Sequence, residues 1–352
     1  MDSPVMGVNV ESMTKWMAEN LGAAAPLTFE LIVSGRSNLT YHVVDAIGRE
    51  FALRRPPVSH VLPTAHDMVR EHRVISALRS QGIPVPKALG LCVDDVVNGC
   101  PFYVMEFVDG IILRSQNQAE AAFDVASRTT IGENLAATLA SLHDLNVDAA
   151  GLGELARHDG YIERQLRRWR GQYEQMRVDG ISYDGLIEDI GDQLADCIPE
   201  QQRVSIVHGD YLLDNTVLDS RGSVRAVLDW EMCTLGDPMA DLGLLLVYWT
   251  EPGQTALRPN DASAPTLGEG FYSREQVLTA YGKYSTLDIS DIAYYQAFGC
   301  WKLACIMQGV YARYCAGAAA GDQGSVQGYP IFVARLAEVA KETLDGQGSV
   351  FS

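Results

Sequence analysis

The chain has 352 residues, 47% hydrophobic and 20% charged, so it can bury one large core or two moderate ones, and disordered or fibrous classes are excluded. Its longest apolar run, residues 242–249, is far shorter than the roughly 20 residues of a membrane-spanning helix, and the N-terminus lacks the basic and apolar segments of a secretory signal. The seven cysteines include no C-x-x-C pair, which indicates reduced thiols, so we expect a cytoplasmic protein.

Negative charge is concentrated in the C-terminal part of the chain. Residues 1–108 hold nine Lys and Arg against eleven Asp and Glu, whereas residues 109–352 hold 18 against 34. A strongly negative body repels phosphate backbones and anionic lipid, so neither nucleic-acid nor membrane binding is expected. The excess carboxylates favour a cationic substrate, or they form a solvated surface that keeps the protein soluble.

The N-terminal part reads as a sheet with one main helix. Alternating apolar residues over 27–53, interrupted by a polar turn with the sequence SGRSN, predict a β-meander. Apolar residues three and four apart predict an amphipathic helix over 66–80, which Gly82 ends. An apolar run over 102–107 predicts a strand that leads into a connector.

After residue 110 the apolar periodicity becomes helical. Helices are predicted over 131–142, 161–176, 292–314 and 330–344. Ser273 and Gln276 predict a capping box at the start of a further helix. Residues 250–272 are rich in Gly, Pro, Ser and Asn and are predicted to form a surface excursion.

The most informative stretch is 205–241, where two short strand-like pieces bracket HGDYLLDNTVLDSRGS. Phosphoryl transfer from ATP needs a carboxylate to accept the proton of a hydroxyl nucleophile, and hard oxygen ligands for Mg²⁺. Asp210 can supply the base, and Asn215 and Asp229 can supply the metal ligands. The simpler alternative is a hairpin whose turns are rich in Asp and Asn.

The pattern H-G-D-x-x-x-x-N followed by L-D-W-E resembles the aminoglycoside phosphotransferase and choline kinase family, a branch of the protein-kinase-like fold. Other matching pieces are FALRRPP, LPTAHDMVREHRVI, GIPVPK, PFYVMEFVDG, ATLASLH, TLGDPMADL and AFGCWKLACIMQGVYAR. Several resemble most the subfamily that is fused to acyl-CoA dehydrogenases in animals. The resemblance implies a bilobal α+β fold: an N-terminal nucleotide-binding lobe with its hinge at 1–108, built on an antiparallel sheet and one main helix, and a larger, mostly helical catalytic and acceptor-binding lobe at 109–352.

The resemblance also implies which residues bind the ATP phosphates. In this fold a basic side chain on the third strand holds the α- and β-phosphates and is itself held by a glutamate on the next helix. Arg54 and Glu71 stand at these places, and Arg55 is an alternative to Arg54. The simpler alternatives are that Arg54 is a surface arginine and that Glu71 is solvated on its helix.

Further nucleotide contacts are expected from a loop and from the connector. Ser37 and Asn38 lie in the polar turn, where backbone N–H groups and small side chains can cradle phosphate, although an ordinary hairpin turn has the same composition. By resemblance, the backbone of Glu106 and Val108 reads the edge of adenine.

Four more residues are given supporting roles. Asp237 and Asp241 are expected to bond the backbone of the catalytic loop and to cap the following helix, and His208 to orient the same backbone. His143 is expected in the core.

The sequence therefore predicts an ATP- and Mg²⁺-dependent phosphotransferase whose partners are ATP and a small molecule with a hydroxyl group. An aminoglycoside-like or other cationic acceptor agrees with the acidic C-terminal part, whereas the dehydrogenase-linked subfamily points to a hydroxy-acyl or other lipid-derived acceptor. A nucleotide-binding pseudokinase scaffold is the alternative from another class, but Asp210, Asn215 and Asp229 are all present. The acceptor, the choice of ATP or GTP and the oligomeric state are left open.

Overall fold

A computed structural model of the chain describes residues 5–32, 38–58, 67–178, 183–257, 264–316 and 328–346. The chain divides into two compact units. The N-terminal unit comprises Met1–Gly110 with Arg225–Glu231, and the C-terminal unit comprises Ile111–Val224 with Met232–Ser352. The N-terminal unit therefore includes a short segment, with Asp229 in it, that follows the catalytic loop in the sequence.

A five-stranded antiparallel sheet is the centre of the N-terminal unit. Its strands are β1 (Thr28–Ile32), β2 (Leu39–Val44), β3 (Glu50–Arg55), β4 (Ala88–Cys92) and β5 (Phe102–Glu106), in the order β1-β2-β3-β5-β4. Tyr41 of β2 lies opposite Leu53 of β3, which lies opposite Val104 of β5. These three side chains are buried, and the predicted meander is confirmed.

The helices of this unit are α1 (Val10–Leu21), α2 (Met68–Ser80) and the short α3 (Asp95–Asn98). Helix α2 begins after Asp67, whose side chain accepts a hydrogen bond from the Arg70 amide, so the predicted helix is confirmed from Met68 onward. The predicted polar turn lies largely outside the described residues, and Ser37 is among those outside.

The described part of the C-terminal unit is mostly helical. Its helices are α4 (Gln116–Ala122), α5 (Val125–His143), α6 (Tyr161–Gln175), α7 (Asp184–Asp196), α8 (Met239–Tyr248), α9 (Arg274–Tyr284), α10 (Ile292–Cys315) and α11 (Tyr329–Leu344). Its strands are β6 (Ser205–Val207), β7 (Thr216–Leu218) and β9 (Thr234–Gly236), of which β6 and β9 pair antiparallel, whereas β8 (Val224–Val227) belongs mostly to the N-terminal unit. The four predicted helices and the capping box of α9 are confirmed, as is the α+β class.

Helix α10 is the central helix of this core and packs against α8 and α11. Gly243 allows α8 to approach closely, because a Cβ atom there would lie 2.6 Å from the carbonyl group of Tyr295 on α10. Within the described ranges we find no helix with both the length and the apolar character that crossing a bilayer requires.

The predicted surface excursion at 250–272 is confirmed in part: Pro252, Gly253 and Thr255 are exposed, residues 264–266 are buried, and residues 258–263 lie outside the described part. Thr250 and Thr266 are buried. The Thr266 hydroxyl donates to the Thr250 carbonyl at 2.8 Å and accepts from the Thr250 amide at 3.0 Å. These two bonds satisfy polar groups that burial would otherwise leave unpaired, so they hold the ends of the segment together.

Candidate active site

The loop after β6 carries Asp210 and Asn215, and the structure brings these two predicted residues together. The side-chain amide nitrogen Nδ2 of Asn215 donates to the backbone carbonyl of Asp210 at 2.9 Å and to the Asp210 carboxylate oxygen Oδ2 at 3.0 Å. The carboxylate of Asp210 is thus held at one end of the loop. The amide oxygen of Asn215 lies on the opposite side of the amide group from these contacts.

Asp241, the third residue of α8, holds the backbone of this loop. Its two carboxylate oxygens accept from the amides of His208 at 2.5 Å and Gly209 at 2.8 Å, and the Asp210 amide donates to His208 Nδ1 at 3.2 Å. The predicted contacts of Asp241 and His208 with the loop backbone are confirmed, but Asp241 lies inside α8 and does not cap it. Asp237 instead accepts from the Met239 amide at the start of α8 at 3.0 Å. Burial raises the pKa of Asp241, but the neighbouring His143 and His208 and the Gly209 amide bring it below its usual value, which favours the ionised form.

Two buried residues lie around this loop, and one of them was missed in the sequence. His143 is buried, as expected, and lies with Nε2 3.5 Å from Asp241 and Nδ1 2.8 Å from the Tyr281 hydroxyl. Lys302 of α10 is buried and donates to the carbonyl oxygen of Gly209 at 3.1 Å. The one available signal was a lysine inside the otherwise apolar stretch AFGCWKLACIM.

In the N-terminal unit, Arg54 of β3 joins three carboxylates. Its Nε lies 2.9 Å from Glu71 of α2, and one terminal nitrogen lies 2.5 Å from Asp229 and 3.4 Å from Glu231. Arg54 is 8% exposed and Glu71 is 3% exposed, so the readings as a surface arginine and a solvated glutamate are both wrong. Three of the predicted site residues, Arg54, Glu71 and Asp229, therefore share one buried cluster.

Asn38 and Tyr103 complete this cluster. The side-chain amide of Asn38 donates to the Glu71 carboxylate at 2.8 Å and to the Glu231 carboxylate at 3.0 Å. The Tyr103 hydroxyl donates to the Glu71 carboxylate at 3.1 Å. Burial raises the pKa of Glu71, and the charge of Arg54 works against that rise. The sequence identified Asn38 but not its partners.

Arg54 and Arg55 are adjacent on β3 but have different surroundings. Arg55 Nε donates to the Pro56 carbonyl at 2.9 Å, and one terminal nitrogen donates to the Gly7 carbonyl. The Arg55 guanidinium is therefore engaged by backbone oxygens, whereas Arg54 lies beside the carboxylates. Of the two alternatives, this arrangement favours Arg54.

The connector after β5 offers backbone groups rather than side chains. The Glu106 amide donates to the Lys87 carbonyl at 2.8 Å, and Phe107 stacks on His42 with ring centres 4.1 Å apart. Among the described residues, no backbone hydrogen bond outside the regular elements involves Val108. The Glu106 amide is thus already paired within the N-terminal unit.

Asp229 adopts a left-handed backbone conformation with φ 63°, and it is the only non-glycine residue of the described ranges with a positive φ. Such a conformation costs of order 1–3 kcal/mol and persists where neighbouring contacts fix it. Here the contact with Arg54 at 2.5 Å helps to fix the carboxylate.

The donor chemistry of Asp229 and Asn215 fits Mg²⁺, which prefers hard oxygen ligands. Within the described ranges, no group of three or more His, Cys, Asp or Glu side chains is arranged to hold a metal. A magnesium ion would therefore bind together with phosphate oxygens of a nucleotide, as Mg²⁺ commonly does.

Residues 28–274 match the model of the family described as the phosphotransferase enzyme family. The chain belongs to this family. Acyl-CoA dehydrogenase family member 10 of Mus musculus is 31% identical over 327 residues, which are 92% of this chain but 30% of the mouse protein. The chain thus spans less than a third of that relative's length.

Two solved structures bear on the fold. One is a Ralstonia eutropha protein provisionally assigned as an aminoglycoside phosphotransferase, which is 31% identical, with 95% of this chain and 98% of that one covered and a TM-score of 0.77. The other is the choline kinase of Cryptosporidium parvum, 15% identical, with 97% of both chains covered and a TM-score of 0.67, which shows a likeness of fold. The chain is therefore a member of the phosphotransferase enzyme family and shares the fold of these two proteins, as predicted.

Proposed function

We propose that the protein transfers the γ-phosphate of ATP to a hydroxyl group of a small molecule. The observation that carries this is the buried ion pair between Arg54 and Glu71, with Asp229 on the same guanidinium. Burying charged groups is costly, and a cluster of this kind is typical of a functional site in a phosphotransferase. In this role Arg54 holds the α- and β-phosphates and Glu71 fixes the direction of Arg54.

Asp210 is the proposed general base. A base must hold its carboxylate at a fixed point to accept a proton from the attacking hydroxyl. Asn215 contacts that carboxylate at 3.0 Å, and the backbone of the same loop is held through Asp241, which supports this role.

Asn215 and Asp229 are the proposed ligands of Mg²⁺, with an amide oxygen and a carboxylate oxygen. When bound, the ion would neutralise charge on the transferred phosphoryl group. Since Asp229 now contacts Arg54, the arginine would share that carboxylate or exchange it for phosphate oxygens. For the rest of the nucleotide, we propose that Ser37 and Asn38 lie near the phosphates and the backbone of Glu106 and Val108 near adenine.

The acceptor has two candidate classes. A cationic acceptor, aminoglycoside-like or an amino alcohol, fits the acidic C-terminal part of the chain. A hydroxy-acyl or other lipid-derived acceptor is the alternative, and it is supported by the relatives that are acyl-CoA dehydrogenase family members.

A panel of acceptors tests the proposal. Purified protein with Mg²⁺ and ATP is incubated with aminoglycosides, amino alcohols and hydroxy-acyl compounds, and ADP release is measured together with product mass. We expect release that depends on the acceptor hydroxyl and a product heavier by one phosphoryl group. The deoxy analogue of each active acceptor is the matched control. Absence of both nucleotide binding and phosphorylated product across the panel would refute the proposal.

A further inference from the structure

Lys302 is a buried cation for which the proposed chemistry has not yet given a role. It lies on α10 and is 5% exposed. Its ammonium donates to the carbonyl oxygen of Gly209, 93 residues earlier in the sequence, rather than to a carboxylate. Because removing an ammonium group from water is costly, a methionine or leucine would be the cheaper way to fill this space.

The carbonyl that Lys302 contacts belongs to the peptide bond that leads into Asp210. The N–H of Gly209 is held from the other direction by Asp241 at 2.8 Å, and the N–H of Asp210 is held by His208 at 3.2 Å. The peptide groups on both sides of Gly209 therefore have partners. These partners come from α8, from α10 and from the loop itself, so a movement of the loop must break one of them.

Gly209 itself adds a second restraint. Its φ is +87°, a conformation that side chains rarely adopt, and a Cβ atom there would lie 2.9 Å from Cβ of Met232. The backbone at Gly209 thus runs close to Met232, and small displacements toward Met232 are blocked. Lys302 opposes displacement of the same peptide group by holding its oxygen.

We propose that Lys302 is a positioning residue for phosphoryl transfer, because it holds the Gly209 carbonyl and so keeps the Asp210 carboxylate where the acceptor hydroxyl reacts. This inference rests on the proposed role of Asp210 as the base. The charges of Asp210 and Asp241 act on the Lys302 ammonium, which is consistent with their closeness, although burial lowers the pKa of Lys302 overall. Misplacing a catalytic group by about 1 Å can reduce turnover about 100-fold, so a positioning contact of this kind has a measurable effect.

The test compares Lys302→Met with Lys302→Gln, since the two new side chains are similar in size and only glutamine carries a hydrogen-bond donor. Gln296→Met is the matched control, because Gln296 is also buried on α10 and none of its side-chain polar atoms has a hydrogen-bond partner among the described residues. We expect kcat to fall about 10- to 100-fold in Lys302→Met, to fall less in Lys302→Gln, and to stay within about two-fold in Gln296→Met. The KM values for ATP and acceptor should change little, because neither substrate loses a contact.

A second measurement does not depend on activity. Amide hydrogen exchange over residues 208–215 should become about ten-fold faster in Lys302→Met and stay unchanged in Gln296→Met, because the loop loses one of its restraints. Unchanged exchange in this loop, or a kcat within about three-fold of wild type, overturns the inference. If Lys302→Met does not fold, Lys302→Leu, which also lacks a hydrogen-bond donor, takes its place with the same thresholds. A wild-type protein that phosphorylates no acceptor refutes the proposed function, and the exchange experiment still decides whether Lys302 holds the loop.

Discussion

Asp210 is the residue on which the proposed chemistry depends most directly. Asp210→Asn keeps the size of the side chain and removes the proton acceptor, so we expect kcat to fall about 10²- to 10⁴-fold while the Kd for Mg-ATP stays within about two-fold. Steady-state kinetics and calorimetry measure the two quantities. Asp214→Asn is the control, since Asp214 lies in the same loop and is half-buried. A kcat for Asp210→Asn close to that of Asp214→Asn would rule out Asp210 as the base.

Arg54 and Glu71 should act as one unit. Removing Arg54 leaves the buried Glu71 without its cation, and such a change costs roughly 3–5 kcal/mol of unfolding free energy. Removing Glu71 costs less, because Arg54 keeps its contacts with Asp229 and Glu231. We expect Arg54→Ala and Glu71→Ala each to raise the KM for ATP, with the smaller effect for Glu71→Ala. The double variant should be less impaired than the sum of the two, because both act through a contact of 2.9 Å.

Denaturant unfolding and ATP kinetics on the three variants form a double-mutant cycle. Arg55→Ala is the matched control, since its guanidinium contacts the carbonyls of Pro56 and Gly7 and should influence stability rather than the KM for ATP. Additive effects of Arg54→Ala and Glu71→Ala, together with a raised KM for ATP in Arg55→Ala, would mean that Arg55 and not Arg54 binds the phosphates.

At the residue scale, local motifs were predictable and distant partners were not. The spacing of Asp210 and Asn215 is five residues, and the structure confirms that they are in contact. Glu231 contacts Asn38 across 193 positions, and nothing in the residues around either one indicates this pairing. Whether these residues act as proposed stays a prediction, because their contacts alone do not measure a reaction.

At the scale of helices, apolar periodicity predicted α2, α5, α6, α10 and α11 but not every helix that has a buried face. Helix α1 was missed, although the chain carries a start signal and a stop signal for it. Asn9 caps its first turn, and Gly22 ends it in a left-handed conformation. Helix α7 was also missed, and it carries many acidic residues. Such helices take much of their stability from tertiary packing, which a single sequence does not display.

The crossing of α8 and α10 gives a prediction at this scale, since these helices carry Asp241 and Lys302. Gly243→Ala would place a Cβ atom 2.6 Å from the backbone of Tyr295, so the helices must separate. We expect a loss of about 1–3 kcal/mol in unfolding free energy and a lower kcat. Gly282→Ala in α9 meets nothing within 4 Å and should instead stabilise the protein by up to about 1 kcal/mol.

Thermal or denaturant unfolding of both variants, with kcat measured below the transition, checks this prediction. The two substitutions are chemically identical, so the difference between them isolates the effect of the helix crossing. Equal stability of Gly243→Ala and Gly282→Ala would mean that α8 and α10 can relax at no cost.

For the whole molecule, charge and kinship suggest different acceptors. The formal net charge of -18 favours cations in the surrounding solvent, whereas the relatives among the acyl-CoA dehydrogenase family members favour an acyl group. The composition shows the charge directly, but the surface that receives an acceptor depends on how the helices of the C-terminal unit pack, which a single sequence does not show.

Salt and chain length separate these two acceptor classes. A cation held by the field of the protein binds more weakly as salt rises, because the screening length falls from about 10 Å at 0.1 M to about 3 Å at 1 M. An acyl chain held by apolar contacts should be insensitive to salt, and each CH₂ group that becomes buried should strengthen its binding by about 0.8 kcal/mol. We therefore expect the KM of an amino-alcohol acceptor to rise between 0.1 M and 1 M NaCl, and the KM of hydroxy-acyl acceptors to fall along a homologous series at fixed salt. The KM for ATP at each salt concentration is the control for general effects of ionic strength. A KM that responds to salt but not to chain length contradicts the apolar acceptor, and the reverse pattern contradicts the cationic one.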